Sequence, residues 1–505
     1  MNKCKWFIVL FALFSTTCAD AHVGSPDVYA DGQAGPYRLS IVLRPPRVIP
    51  GVAEIEVRAE TPGINHITIT PLPLTGEAAK HPPVPDTMVN PSKDPQFFTG
   101  HLWIMATGSW QVRFVVDGAQ GHGELSIPLP ATAMATSKMN AGLGSLLAVL
   151  GLLLLVGMVG IVGAAASKAE LHTDASDTNL DIRRGRRAMA ATAVVLLVLL
   201  LLGDRWWTAD AAKYAGNIYK PLQMTATLQQ GNVLNLKTHD SGWLQQRSLD
   251  DLILDHNHLM HLYMIRWPEM DVVFHLHPQP SGTGDFQLAL PSMPAGDYHL
   301  YADVVHADGF PETLVSGVVL QQINGRTLSG DDAEGVDKPM DSDSATKSLA
   351  VGDEQRFKLP DGYIMVWKMP SALTPKAPEK FRFELLNPAG EPPGDMAFYM
   401  GMLGHAAFIK SDGTVFAHIH PSGTMAMATY MMANPQVSMP NAMRMSSMPN
   451  MDMNDAGLPN VVTFPYGFPS PGRYRIFVQM KHGTTVETGI FDANVLASAQ
   501  SQVSG

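Results

Sequence analysis

Histidine and methionine carry most of the chemistry available to this chain. There are 18 histidines and 29 methionines among 505 residues, and both crowd the second half. His275 and His277 are two apart, as are His418 and His420, each pair followed by proline. Residues two apart on a strand project to the same side, so each pair presents two imidazoles together, with Leu276 or Ile419 turned to the core. His261 precedes the first pair by 14 residues and His405 the second by 13. That gap suits a strand, a turn and a returning strand, so the earlier histidine faces the pair across a hairpin. His306 and His482 each lie ten residues after a turn glycine, Gly296 or Gly472, and are expected on the neighbouring strand.

Three or four imidazoles on one sheet face form a metal site, and imidazole suits copper, zinc, nickel or iron. His256, His258 and His299 have no evident partners in the later repeat and are expected only as auxiliary ligands. The later repeat carries a methionine-rich insertion that includes Met443, Met445, Met448, Met451 and Met453. Thioethers select Cu(I), and the surrounding Asn, Ser, Pro and Asp do not read as core. Copper is therefore expected, as Cu(II) at the histidines and Cu(I) at the methionines, with zinc as the alternative.

The elements that hold these residues are short alternating runs between Pro and Gly turns, such as Tyr37–Leu43 and Ala53–Arg58. This predicts a mainly β chain of three Ig-like β-sandwich domains. A glycine, a spacer and an aromatic open a strand in each region, at Gly108, Gly296 and Gly472. The matching order His261, Phe274–Pro278, Gly296, Tyr298, His306, Glu312 and His405, Phe416–Pro421, Gly472, Tyr474, His482, Glu487 marks a tandem duplication.

Two apolar runs, 141–166 and 188–207, are long enough to span a bilayer. They are expected as a transmembrane hairpin between the first and second sandwiches. Gly157, Gly160 and Gly163 offer a small-residue stripe for close packing. Lys168, Arg183, Arg184, Arg186 and Arg187 place the 167–187 loop in the cytoplasm and both flanking regions outside. Residues 1–21 read as a secretory signal, with Ala19-Asp20-Ala21 as its cleavage pattern. The expected layout is then an exported sandwich at 22–135, a His-rich sandwich at 213–322, an acidic solvated linker at 323–348 and a His/Met-rich sandwich at 349–497.

Both cysteines, Cys4 and Cys18, fall inside the signal, so the body has no disulfide framework. The net charge of −11 and a charged fraction of only 16% argue against a nucleic-acid partner. No phosphate loop, HExxH or serine elbow occurs.

The stretches His261 to Tyr298 and His405 to Tyr474 resemble the YtkA-like and CopC-like β-sandwich domains of bacterial copper handling. The resemblance implies periplasmic copper binding, with the cell membrane and another envelope copper protein as partners. It also implies that His22, as the mature N-terminus, is a ligand. The first sandwich departs from that pattern, since it offers only His66 and His101 as second ligands. The expected function is a membrane-anchored binding protein of the bacterial inner membrane, serving resistance, storage or delivery rather than catalysis. Two alternatives are a copper-dependent oxidase or oxygenase built on His22, and a non-metal adhesion or assembly module.

Overall fold

The computed structural model describes residues 26–91, 94–167, 179–243, 248–340, 354–370, 372–435 and 457–497. The chain is mainly β, and each of its three β regions pairs two antiparallel sheets around an apolar core. Strand Gly51–Ala59 shows the local cause, because buried and solvent-facing residues alternate along it. In the second region, one sheet runs in the order Pro311–Leu320, Gly296–Val305, His261–Trp267, Val272–Leu276, Ala333–Val336. Its counterpart in the third region joins Met396–Ala397, Gly472–His482, Gly404–Lys410 and Phe416–Ile419, with Thr485–Val495 also paired to Gly472–His482.

These two sheets face each other. Strands His261–Trp267 and Gly404–Lys410 are buried on both sides over most of their length. One side fills its own sandwich. The other forms a shared apolar layer in which Tyr263, Ile265, Val273 and Tyr301 meet Ala407, Ile409, Phe416 and Phe477. Tyr301 stacks on Phe416 at 4.5 Å between centroids, with 4° between the rings. A strand buried on two faces reads as a continuous apolar run, and the sequences HLYMI and HAAFI are such runs.

The first region docks on the third just beyond His420. Asp31 donates its backbone N–H to the Ser422 carbonyl at 3.0 Å, and Thr424 donates to Tyr29 at 2.9 Å. Gly423 sits at φ +133°, and a Cβ there would lie 2.0 Å from the Tyr29 carbonyl oxygen, so the joint needs glycine. The short helix Met427–Ala433 then sends Met427 and Tyr430 into the first core.

Two helices, Ala141–Ser167 and Asn179–Ala215, are long and apolar enough to cross a membrane, with mean hydropathies of 2.8 and 2.0. They approach at Gly163 and Gly185, whereas Gly157 and Gly160 meet nothing within 4 Å. Of the stripe expected from sequence, one glycine makes the contact. Arg183, Arg184, Arg186 and Arg187, expected in a loop, lie inside the second helix, whose apolar run is extended at both ends by good helix formers.

The acidic stretch expected as a solvated linker is partly structural. Ala333–Val336 is the fifth strand of its sheet, with His275 opposite Ala333 and Val272 opposite Val336. Its first residues fit because Ala333 and Gly335 are small, Gly335 lying flush against Thr488. Asp332 pairs with Arg326 and accepts a hydrogen bond from His277.

Candidate metal centre

Where the two facing sheets meet at one end, eight imidazoles form a continuous cluster of His256, His258, His261, His275, His277, His405, His418 and His420. Neighbouring ring centroids lie 3.8–6.1 Å apart. The hairpins deliver the predicted histidines. Tyr263 pairs with His275 and Ala407 with His418, which sets His261 beside its pair and His405 beside the other.

Two triads within the cluster can each hold a metal ion. His256, His405 and His420 each bring a ring nitrogen within 4.8 Å of the other two, and so do His261, His275 and His277. The first triad spans both copies of the repeat. Turn 255–258 supplies His256, with its backbone at φ 49° and Asn257 at 69°. A left-handed conformation at a side chain other than glycine is uncommon and is retained where the surroundings enforce it. Here Asp255 accepts a hydrogen bond from the Ala428 backbone N–H at 2.7 Å, tying the turn to helix Met427–Ala433.

Hydrogen bonding decides the tautomers. Asp303 accepts from His418 Nδ1 at 3.2 Å, so His418 Nε2 is a lone pair and takes the Nδ1 proton of His405 at 3.3 Å. His256 donates its Nδ1 proton to the Met400 carbonyl at 2.7 Å, and His420 donates to the Met425 carbonyl at 3.1 Å. Every Nδ1 of this triad is therefore a donor, and every Nε2 is left with a lone pair. All three Nε2 atoms are buried and have no hydrogen-bond partner among the described residues. Burial, reinforced by the neighbouring imidazoles, pushes His405 and His420 well below their ordinary value, and burial also lowers His256. Three neutral imidazoles with anchored Nδ1 atoms and bare Nε2 atoms are the donor set that a borderline or soft metal cation requires.

The second triad is wired differently. His277 donates to Asp332 at 3.0 Å and leaves its Nε2 bare, while the His261 Nδ1 lone pair lies 3.2 Å from His275 Nε2, a hydrogen bond only when His275 carries its proton there. His261 also donates to the Asp255 carbonyl at 3.0 Å. His275 Nδ1 lies 2.9 Å from Gln479 Oε1 and 3.2 Å from the Tyr399 hydroxyl. His258 stacks on His277 with centroids 3.8 Å apart and pairs with Asp331.

Two expected ligands go elsewhere. Both ring nitrogens of His306 are held by carboxylates, Asp251 at 2.8 Å and Glu312 at 3.2 Å. Burial lowers its pKa, yet those two partners raise it overall, and they occupy both of its ring nitrogens. His482 lies beside Asp395, Glu487 and Asp361 and stacks on Tyr363 at 4.0 Å. With Asp361 and Glu487 it makes a third grouping that can accept a cation, separate from the imidazole cluster. Burial and the Asp361 charge push Glu487 up to about 7. The two histidines leave the shared face because each lies three residues past the position opposite a cluster histidine, Asp303 opposite His261 and Gln479 opposite His405, and alternation turns an odd step to the other side.

His256 and His258, expected only as auxiliary groups, are the residues that sequence undervalued. Turn 255–258 starts six residues before His261, and turn 399–402 starts six before His405. The counterparts of His256 and His258 are thus Met400 and Met402, a replacement that constant spacing discloses and residue identity conceals. His299 stacks on Trp267 away from the cluster. In the first region, His66 is exposed beside Asp117, and His101 is also exposed. His22, Met443, Met445, Met448, Met451 and Met453 lie outside the described residues.

A cavity of about 550 Å³ reaches the cluster from the junction of all three β regions. His261, His418, His420, Asp303 and Met425 line its inner end, and Pro128 and Pro130 its first-region wall.

A sequence profile described as "Domain of unknown function (DUF8832)" matches residues 358–497, the third region. No curated protein sequence matches the chain. Among solved structures, one concerning host cell surface retention of a 1.5-MDa bacterial ice-binding adhesin aligns over 92% of this chain and 99% of its own, at 6% identity and a TM-score of 0.15. An ICAM-5 D1–D4 ectodomain fragment aligns over 92% of this chain and 78% of its own, at 6% identity and 0.15. Latent PorU from Porphyromonas gingivalis aligns over 94% and 34%, at 6% identity and 0.14. At these TM-scores none of the three bears on fold or chemistry.

Proposed function

We propose that this chain is a membrane-anchored copper-binding protein of the bacterial cell envelope, serving copper resistance, storage or delivery to a second envelope copper protein. The observation that carries the reading is the set of three bare, buried Nε2 atoms on His256, His405 and His420. Three buried lone pairs with no protein donor are costly, and a bound cation removes that cost. Copper is preferred over zinc because Met425 lines the cavity beside His420 and because of the ten methionines between Met425 and Met453. The likeness of the two histidine regions to YtkA-like and CopC-like domains points the same way.

The two apolar helices serve as the anchor. Arg183, Arg184, Arg186 and Arg187 at the start of the second helix put the turn between the helices in the cytoplasm and the β regions on the periplasmic side. The cavity supplies a route for an ion or a partner's ligand to reach the imidazoles.

The test is copper affinity of the full chain in detergent, measured by competition with a chromophoric chelator. His405→Gln combined with His420→Gln should abolish high-affinity uptake, while His81→Gln and His122→Gln on exposed positions should not. Unchanged copper affinity in the double variant would overturn the reading.

A further inference from the structure

We infer that the imidazole cluster is a two-ion centre with inequivalent halves, filled first at His256/His405/His420 and then at His261/His275/His277. The inference rests on the copper-binding reading and adds to it the number of ions, their order and what couples them. The first triad is ready as folded, since each Nδ1 is anchored and each Nε2 bare. The second triad is not fixed in that way, because the one proton of a neutral His275 has two competing acceptors, Gln479 Oε1 at 2.9 Å from Nδ1 and His261 Nδ1 at 3.2 Å from Nε2.

Gln479 favours the ligand-ready tautomer. With the proton on Nε2, His275 donates to His261 and its Nδ1 lone pair faces Gln479 Oε1; with the proton on Nδ1, it donates to Gln479 Oε1 and leaves Nε2 free. No proton leaves the site. His275 Nε2 and His261 Nδ1 then join the bare His277 Nε2 as lone-pair donors. The counterpart of Gln479 is Asp303, seven residues after its turn glycine just as Gln479 is after Gly472. A carboxylate accepts only, so it locks His418 in one tautomer, whereas an amide at the equivalent place permits two.

The halves also feel each other. His256 and His261 are 6.1 Å apart between centroids, and His261 and His418 5.6 Å. Two cations held that close in a buried site repel, so the second ion binds more weakly than the first.

Cu(II) titration of the full chain in detergent tests this, because thioethers favour Cu(I) and contribute little. The double variant His256→Gln/His277→Gln, disabling one ligand of each triad, sets the background. Wild type should bind two equivalents more than that variant, in steps separated by at least about tenfold in affinity. His277→Gln alone should delete the weak step, and His256→Gln alone the tight one; a variant that merely failed to fold would lose both steps and its cooperative melt. The second equivalent should broaden the electron paramagnetic resonance spectrum through dipolar coupling between neighbouring ions. A difference of one equivalent, removed by either single variant, would overturn the two-ion centre and leave the copper-binding reading standing. A difference of zero would remove both.

Discussion

The second and third β regions are copies built on one plan, and their differences say more than their likeness. Both carry a histidine at the strand start, a pair on the returning strand and a left-handed turn six residues upstream. In the second copy that turn holds His256 and His258, and in the third it holds Met400 and Met402. Because the copies face each other, the turn of one leans on the turn of the other, and His256 donates to the Met400 carbonyl. The imidazole added in one copy is used by its neighbour. Orienting groups cross in the same way, with Asp303 of the second copy holding His418 and Gln479 of the third beside His275. The two copies present similar imidazole sets, and differences at three positions give the cluster between them unlike halves.

Substitutions can break that asymmetry. The largest effect should come from His256→Met, which makes the two turns alike. Cu(II) affinity should fall by more than about 100-fold, beyond the usual cost of losing an orienting partner, while Cu(I) affinity falls far less because a thioether remains. Equal losses in chelator competitions run under oxidising and reducing conditions would show that the ring does not act as a ligand.

Asp303→Asn should cost about 10-fold in Cu(II) affinity, since His418 then loses the carboxylate that sets its tautomer. Gln479→Glu, the reciprocal change, should strengthen the weak step and narrow the gap between the two. Isothermal titration on both variants measures the gap, and a gap unmoved by either change refutes the role assigned to these residues.

Metal should stabilise the joint between the copies. At a free ion concentration 100 times the dissociation constant, the folded state gains about 2.7 kcal/mol, read as a rise in melting temperature that a chelator reverses. The rise should vanish in His405→Gln/His420→Gln. Gly423→Ala should lower the melting temperature with or without metal, by about 2 kcal/mol, because the strain lies in the backbone.

The smallest effect expected is that of pH on the metal-free chain. Burial holds His261, His275, His405 and His420 well below 6.5 when folded, and lowers His256 and His277. The unfolded chain therefore binds more protons as pH falls below about 6.5, so stability is flat above that value and declines below it. His306, raised by its carboxylates, works in the opposite sense and loses its contribution as pH climbs through its folded value. With His299 also lowered and exposed His122 also raised, seven depressed imidazoles against two raised ones set the direction among the described residues, and denaturant midpoints between pH 5 and 8 would show it.

Much of this was legible in the residues. Alternation exposed the strands, the two-residue spacing of the histidine pairs put each pair on one side, and the repeated order of landmarks exposed the duplication. Even the two-sided burial of the facing strands is written in HLYMI and HAAFI. The acidic stretch was misread because composition alone reports solvation, and its pairing partners, His277 and strand Val272–Leu276, lie outside it.

The division between sequence and tertiary structure follows range. Contacts within a hairpin span about 14 residues and are dictated by strand period and turn chemistry, which neighbouring residues encode. Whether the copies dock face to face, which imidazole enters whose triad, and whether a given Nε2 keeps its lone pair depend on groups more than 100 residues apart, such as His256 with Met400 and His418 with Asp303. Those outcomes rest on how two finished sheets pack, a property of their surfaces in three dimensions that no local pattern contains.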